Sequence, residues 1–203
     1  MVYYGEWDPG KAQWLRELIK EGVIANGEVD ERSILDVKAQ DLKGFTQVHL
    51  FGGIGLWSYA LRQAGWPDDR PVLTLSCPCQ PFSAAGERRG VEDERHLWPV
   101  AFELIRELQP PVLFGEQVSS KDGIQWFDGV KADLNSAGYS VCGFDMPAAA
   151  FGAPHIRQRL YFVASIPNET VGDLQPVRSA NRDRSLRRHE FGPAEAASGP
   201  SLP

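Results

Sequence analysis

A cysteine lies in a short, stiff loop directly after an apolar run. Cys79 stands between Pro78 and Pro81, and the run Val72 to Leu75 precedes them. Each proline fixes φ at about −65° and removes a backbone donor, so the loop loses little conformational freedom when it binds another molecule. A thiol at a strand end is poorly placed for core packing and well placed to meet a substrate, where it can act as a nucleophile. These residues alone also fit an inert cysteine at the end of a strand.

Charged side chains occupy two further predicted strand ends. Glu116 follows the apolar run Val112 to Phe114, and Arg157 and Arg159 come just before residues 160–164. A carboxylate can hold or deliver a proton at a reacting group, and guanidinium groups can bind anionic groups in two-point contacts. A solvated carboxylate and surface charges beside an edge strand are the alternatives for these three side chains.

A glycine-rich turn joins a predicted strand to a predicted helix. Residues 46–51 are predicted as a buried strand, Gly52, Gly53 and Gly55 follow it, and residues 56–64 have helical spacing. Glycines allow the backbone to approach a ligand closely, and a helix N-terminus offers free N–H groups. The pattern fits a cofactor-binding turn, but similar turns bind many nucleotides and some serve only packing.

The elements that must position these residues alternate along the chain. Strands are predicted at residues 2–4, 46–51, 72–77, 112–114, 139–144 and 160–164. Helices are predicted at residues 12–24, 56–64, 96–108 and 124–137 from the spacing of their apolar positions. This alternation predicts an α/β fold with a mostly parallel sheet between helices. Open sheets of this kind bind ligands at the carboxyl ends of their strands, where the thiol and the carboxylate lie.

The composition limits the classes of protein to consider. Hydrophobic residues make up 42% of the chain and charged residues 24%, with three cysteines. No apolar run approaches the roughly 20 residues that span a bilayer, so no membrane partner is expected. The cysteine number argues against a disulfide framework and favours a reducing, cytoplasmic compartment. A net charge of −6 does not exclude nucleic-acid binding, because a local basic face can coexist with an acidic body.

No metal is expected either. Cys77 and Cys79 form a Cys-x-Cys pair, and the histidines considered with them, His96 and His155, are distant along the chain. This arrangement lacks the usual spacing of zinc ligands.

Four segments together resemble motifs of the DNA cytosine-5 methyltransferases. In chain order they are Phe51-Gly52-Gly53-Ile54-Gly55, Pro78-Cys79-Gln80, Glu116-Gln117-Val118 and the segment Phe151 to Arg159. The resemblance covers residues 46–165 and is closest to short enzymes of bacteria and their phages. It implies a Rossmann-like sheet of the class I methyltransferases, S-adenosyl-L-methionine as cofactor and cytosine-containing duplex DNA as partner. The implied setting is restriction-modification or genome marking in a bacterial or phage-infected cell.

The resemblance also implies a role for each matching side chain. Cys79 would add to C6 of a cytosine flipped out of the duplex, so that C5 can attack the donated methyl group. Glu116 would hold cytosine N3, while Arg157 and Arg159 would hold the base and its phosphate and favour the thiolate. Cofactor contacts are implied for Phe51, Gly52, Gly53, Ile54, Gly55 and Pro78, and substrate contacts for Gln80, Ser83, Gln117, Val118 and His155.

The order of the units departs from the family. The family places the cofactor turn first, then an acidic strand end and a Gly-Asp-Ile-like loop, and only then the nucleophile. Here one helix and one strand separate the glycine turn from the cysteine loop, and the N-terminal segments around Glu6 and Glu28 resemble the missing units. We therefore predict a permuted strand order, in which Glu6 binds the ribose hydroxyls, Trp7 covers the adenine and Glu28 or Asp30 lies near its amino group. Glu6 must then lie close to Gly53; an unrelated N-terminal strand and helix is the alternative.

Further departures bear on activity. Gln117 stands where the family has Asn, and His155 where it has Gln. After residue 165 the chain is rich in Pro, Gly, Ser, Arg and Glu, so we assign residues 1–165 to the catalytic domain and 166–203 to a flexible tail or a remnant of a target-recognition region. The expected function is DNA cytosine-5 methylation, alone or with a separate recognition partner. A non-catalytic subunit that binds S-adenosylmethionine, or methylation of RNA or a free nucleotide, is the alternative.

Overall fold

The computed structural model describes residues 1–78 and 97–167, which form seven strands and five α-helices. The strands are β1 (Val2–Gly5), β2 (Gly27–Asp30), β3 (Gln47–Leu50), β4 (Val72–Leu75), β5 (Val112–Val118), β6 (Ser140–Pro147) and β7 (Gln158–Ser165). The helices are α1 (Pro9–Lys20), α2 (Ala39–Leu42), α3 (Leu56–Gln63), α4 (Leu97–Leu108) and α5 (Lys121–Ser136). Short 3-10 helices lie at Ile34–Asp36 and Ala148–Phe151.

All seven strands form one sheet in the order β2-β1-β3-β4-β5-β7-β6. Strands β2, β1, β3, β4 and β5 pair in parallel, and β7 pairs antiparallel with both β5 and β6. The third strand of the chain therefore lies inside the sheet, between β1 and β4, and the first two strands extend the sheet to one side of it. This confirms the predicted α/β architecture.

Helices cover both faces of this sheet. Alternate residues of a strand point to opposite faces. Tyr3 packs in a large cluster with residues of α2, α4 and α5, whereas Tyr4 packs with Leu15 of α1 on the other face. All residues of β3 and β4 are buried, as expected for parallel strands covered on both sides. No helix in residues 1–78 or 97–167 is long and apolar enough to cross a membrane.

The structure differs from the sequence prediction in the bounds of α1 and in two elements, β2 and α2, that were not predicted. Helix α1 begins at Pro9 because Asp8 caps it, accepting a hydrogen bond from the Lys11 N–H at 3.0 Å. It ends at Lys20, since Gly22 adopts a positive φ of 67°. No strand is predicted at residues 27–30, which form β2, and no helix is predicted at Ala39–Leu42, which form α2. Both are brief polar segments whose structure comes from neighbouring elements rather than from their own pattern.

A row of polar side chains crosses the core beneath α1 and α3. The strand register aligns Tyr4, His49 and Thr74. The Tyr4 ring stacks on the His49 ring at a centroid distance of 5.0 Å, and His49 Nδ1 lies 2.7 Å from Thr74 Oγ1. His49 Nε2 has no hydrogen-bond partner in the described part of the chain. Complete burial lowers the pKa of His49 to about 3, so the folded protein holds a neutral imidazole.

The Tyr4 hydroxyl connects this row to the helices. It donates to the Ala25 carbonyl at 2.7 Å and lies 2.9 Å from Ser58 Oγ, which in turn accepts from the Ala25 N–H at 3.2 Å. Since the Tyr4 proton goes to the carbonyl, the Ser58 hydroxyl donates to Tyr4 and closes a ring of three hydrogen bonds. This ring joins β1, the segment just before β2 and α3 in the buried core.

We predict that His49 makes the free energy of unfolding fall in acid. The unfolded chain takes up a proton below the ordinary pKa of 6.5, whereas the folded chain does not do so until about pH 3. Stability should therefore fall as the pH decreases through this window, with a slope of up to about 1.4 kcal/mol per pH unit from His49. Urea unfolding of the wild type and His49→Phe between pH 7.5 and 4.5 measures the difference in slope. Equal slopes in the two proteins would contradict a buried neutral His49.

Gly115 of β5 leaves room for the ring of Phe162 to pack directly against the strand. A Cβ atom at Gly115 would lie 2.0 Å from Cζ of Phe162, which is a rigid, buried ring. Phe162 packs in turn against Trp126 and Phe127 of α5, with ring centroids 6.4 and 5.3 Å away. Any larger residue at position 115 must therefore displace the strand that carries Glu116 or the aromatic cluster that supports it.

The substitution Gly115→Ala should lower the free energy of unfolding by roughly 1–3 kcal/mol, the usual cost of overpacking a core. Gly129→Ala is the matched control, because Gly129 lies in α5 with no atom within 4 Å of an added Cβ. Alanine there should stabilise the helix by about 0.5–1 kcal/mol. Chemical denaturation measures both changes, and a neutral Gly115→Ala variant would show that the strand can move without cost.

Candidate functional site

The carboxylate of Glu6 joins the end of β1 to the glycine turn after β3. Glu6 is only 6% exposed, and its Oε2 accepts a hydrogen bond from the Gly53 N–H at 2.7 Å. Its Oε1 accepts from the Asp8 N–H at 3.0 Å, and the Gly52 N–H donates to the Gly5 carbonyl at 2.8 Å. The proximity of Glu6 to Gly53 that a permuted strand order requires is thereby confirmed.

Some residues of the glycine turn pack against α1, and others line a cavity. Gly52 and Gly55 face α1: an added Cβ would lie 3.3 Å and 3.1 Å from methyl groups of Leu15. Gly55 also begins α3 with a φ of 81°, a conformation that favours glycine. Phe51 and Gly53, in contrast, line a cavity, and both have a φ of 56°. The sequence pattern alone did not separate the glycines that pack against α1 from the one that lines the cavity.

The cavity lies beyond the carboxyl ends of β1, β3 and β4 and has a volume of about 440 Å³. Of the residues predicted to contact a cofactor, Glu6, Trp7, Phe51, Gly53 and Pro78 line it. Its other walls are Tyr3, Gly5, Lys11, Arg32, Ser33, Ile34, Leu35, Val37, Leu50, Ser76 and Leu97. The walls are mainly apolar, and the buried Glu6 carboxylate supplies the strongest hydrogen-bond acceptor among them.

Glu28 does not line this cavity. It is exposed on β2, two residues before the strand end, whereas Asp30 is the last residue of β2. Asp30 is already occupied: it accepts from the Tyr3 hydroxyl at 3.0 Å and from Arg32 Nη2 at 2.7 Å. Burial opposes the charged form of Asp30, but the hydrogen bonds from Arg32 and Tyr3 outweigh it and lower its pKa. Arg32, which sequence reasoning missed, is held by Asp30 and Asp41 at the cavity wall.

Glu116 forms an ion pair with Arg159 at the end of β5. Arg159 Nε lies 2.8 Å from Glu116 Oε1, and each side chain is about one-fifth exposed, at 19% and 23%. The antiparallel pairing of β5 and β7 brings them together, because Arg159 lies opposite Val118, two residues beyond Glu116. Glu116 and Arg159 were predicted as one group and are adjacent.

Gln117 connects β5 to the end of β4. Its side chain is buried; Nε2 donates to the Cys77 carbonyl at 3.0 Å, and Oε1 accepts from the Val118 N–H at 2.8 Å. Gln117 thereby fixes the backbone immediately before Pro78, whereas Val118 is exposed. The side chains of Cys79, Gln80 and Ser83 lie outside the described residues.

His155 and Arg157 form no ion pair with Glu116 in the described part of the chain; both lie on the loop between β6 and β7. Both are exposed, and Arg157 has a φ of 36°. Of the two predicted arginines, the structure therefore places only Arg159 on Glu116. In residues 1–78 and 97–167 no three His, Cys, Asp or Glu side chains are grouped so that they could hold a metal ion.

Comparison with known proteins gives a family. Residues 62–186, more than half of the chain, match the model of the C-5 cytosine-specific DNA methylase family. Type II methyltransferase M.HhaI of Haemophilus parahaemolyticus is 27% identical over 169 residues, covering 64% of this chain and 52% of that protein. Type II methyltransferase M.AluI of Cellulosimicrobium cellulans is 31% identical over 150 residues, covering 67% of this chain and 26% of that protein. The chain thus spans about half or less of the length of these relatives.

Solved structures agree in fold. The Dnmt2 methyltransferase of S. pombe superimposes with a TM-score of 0.50 at 17% identity, over 83% of this chain and 51% of that one. A DNMT2 mutant of Spodoptera frugiperda gives a TM-score of 0.53 at 14% identity over the same shares. The matched family region begins at residue 62, after β1, β2 and the glycine turn. Because the family model matches more than half of the chain, the chain belongs to the C-5 cytosine-specific DNA methylase family.

Proposed function

We propose that this chain is the catalytic part of a DNA cytosine-5 methyltransferase that uses S-adenosyl-L-methionine. The observation that carries the proposal is the hydrogen bond from Gly53 to the buried Glu6, which joins the glycine turn and the acidic strand end in one cavity. The family membership supports the same chemistry.

The cavity fits the methyl donor. Its volume of about 440 Å³ and its mainly apolar walls are typical of a small-molecule site. Each Glu6 oxygen accepts one backbone N–H and keeps a lone pair, so the carboxylate can also accept hydrogen bonds from ribose hydroxyls. Trp7 is 67% exposed at the cavity wall, where its ring can cover an adenine. When bound, the cofactor supplies an electrophilic methyl group.

The residues on the substrate side can carry out the remaining steps. The Cys79 thiolate forms a bond to cytosine C6, the C5–C6 double bond supplies electrons to the ring, and Glu116 hydrogen-bonds or protonates N3. C5 then takes the methyl group, with S-adenosylhomocysteine as the leaving group. A base removes the C5 proton, and the Cys79–C6 bond breaks to restore the aromatic ring and the thiolate. Arg159 holds Glu116 by their ion pair and so orients its carboxylate toward the base. Gln117 positions the backbone that leads into Pro78 and Cys79.

We also propose the organisation of the chain and its partners. Residues 1–165, up to the end of β7 at Ser165, form the catalytic domain, and residues 166–203 are a tail or part of a recognition region. Duplex DNA is the substrate, with or without a separate recognition partner. Two alternatives remain to be separated from this function by experiment. One is methylation of RNA or a free nucleotide, and the other is a non-catalytic subunit that binds the cofactor.

Methyl transfer tests the proposed reaction. The purified chain with S-adenosylmethionine labelled in the methyl group should label cytosine C5 in unmodified bacterial DNA. The substitutions Cys79→Ser and Glu116→Gln should each reduce labelling at least about 100-fold, since one removes the nucleophile and the other the proton donor to N3. Both variants should bind S-adenosylhomocysteine as the wild type does. Labelling of RNA but not DNA, or cofactor binding without any transfer, would contradict the proposed activity of this chain.

The role of Glu6 can be tested without turnover. The substitution Glu6→Gln keeps an acceptor for the Gly53 N–H but removes the charge, so the affinity for S-adenosylhomocysteine should fall roughly tenfold. Glu28→Gln is the matched control and should bind normally, because Glu28 is exposed and does not line the cavity. Isothermal titration calorimetry measures both affinities, and thermal melts check that each variant folds. A loss in Glu28→Gln with none in Glu6→Gln would place the ribose elsewhere.

A further inference from the structure

The loop of residues 148–157 lies at the edge of the sheet that carries the ion pair. It joins β6 to β7, and the strand register places Pro147 opposite Gln158 and Arg159 opposite Val118, the last residue of β5. The Ala148 N–H donates to the Arg157 carbonyl at 3.3 Å and so closes the base of the loop. The loop therefore extends outward beside the Glu116–Arg159 pair, where a substrate of this site must approach.

Two large apolar side chains on this loop are left in solvent. Phe151 is 71% exposed and Ile156 is 69% exposed, the highest values for large apolar side chains among the described residues. Phe151 is the last residue of the 3-10 helix Ala148–Phe151, and Ile156 lies just before Arg157. Exposed apolar groups of this size at a functional edge indicate contact with a partner.

The backbone of the loop holds them in this position. Gly152 ends the 3-10 helix with a φ of 87°, and its N–H donates to the Ala149 carbonyl at 3.1 Å. Arg157 adopts a φ of 36°, which costs a non-glycine residue energy and occurs most often at functional sites. The loop is thus constrained at both ends while its apolar side chains remain uncovered.

The charges on the loop are suited to an anionic partner. Arg157 and His155 are exposed, and no carboxylate in the described ranges pairs with either. The nearby acids are already engaged: Glu116 pairs with Arg159, and Asp145 accepts a hydrogen bond from Gln158 Nε2 at 2.6 Å. A basic group beside exposed apolar side chains is the combination that proteins use to bind phosphates while pressing apolar groups against bases.

We propose that Phe151 and Ile156 form an apolar wedge that enters the base stack of duplex DNA beside the target cytosine, while Arg157 binds a phosphate. The proposal rests on the proposed function, because it assigns to the loop the DNA that the site methylates. A flipped base leaves its neighbours without stacking, and apolar side chains compensate for part of that loss. The wedge is independent of base identity, so it acts at every target.

DNA binding tests the proposed wedge. The full chain, with S-adenosylhomocysteine, is titrated with a labelled duplex of random sequence and its affinity is measured. Phe151→Ser and Ile156→Ser should each weaken binding roughly tenfold or more, and the slope of log affinity against log salt should not change. Arg157→Gln should reduce that slope by about 0.9, as expected for one lost phosphate contact. Val23→Ser is the control: Val23 is 40% exposed beyond the end of α1, at the opposite edge of the sheet, and the substitution should have no effect.

A second measurement separates insertion from surface contact. Relaxation of plasmid DNA by a topoisomerase with the wild type bound should show unwinding, and Phe151→Ser should abolish it at saturating protein. Normal binding and unwinding by both serine variants would overturn the wedge. Weaker self-association of these variants, with unchanged DNA affinity, would do the same and would assign the loop to contacts between copies. Cofactor binding by the wild type without any DNA binding would instead contradict the proposed DNA substrate itself.

Discussion

The hydrogen bond between the Glu6 carboxylate and the Gly53 N–H determines how the rest of the molecule must be arranged. A buried carboxylate is costly unless N–H groups satisfy it, and Glu6 obtains two, one from the glycine turn and one from Asp8. To form these bonds the end of β1 must lie beside the end of β3. The sheet meets this requirement by placing β1 directly beside β3, the third strand of the chain, with β2 on the far side of β1. Neighbours in space, and not order along the chain, define the cavity.

The substrate side depends on a second set of contacts, across β4, β5 and β7. Gln117 fixes the backbone before the cysteine loop by its bond to the Cys77 carbonyl, and the adjacent Glu116 faces Arg159. Successive residues of one strand point to opposite sides, so β5 can support the loop with one side chain and present a carboxylate with the next. Gly115, one residue earlier, lets the Phe162 ring lie against the strand. Three consecutive residues of β5 therefore couple core packing to the site.

Much of this arrangement could be predicted from the sequence, and the failures have physical causes. The strands at Gln47–Leu50 and Val72–Leu75 are buried throughout. The short separation of the glycine turn from the cysteine loop, together with the resemblance of the segment around Glu6 to a family motif, was sufficient to expect Glu6 near Gly53. The polar strand β2 was missed because it is ordered by pairing with β1. Glu28 was predicted to contact the cofactor because it matches a family motif in the sequence. A motif does not show how close to the end of a strand a residue must lie to reach the cavity. The pairing of Arg32 with Asp30 depends on a turn that no pattern in the chain specifies.

A crystal structure of the chain with S-adenosylhomocysteine would test the central claim most directly, namely that strands in a rearranged order build one cofactor site. The account predicts the ligand in the cavity between Glu6 and Phe51, with the ribose hydroxyls within hydrogen-bond distance of the Glu6 carboxylate and the Glu6–Gly53 contact retained. A ligand bound elsewhere on the sheet, or in this cavity with Glu6 turned away from the ribose, would contradict it. In that case the position of Glu6 beside the glycine turn would be a feature of the fold alone.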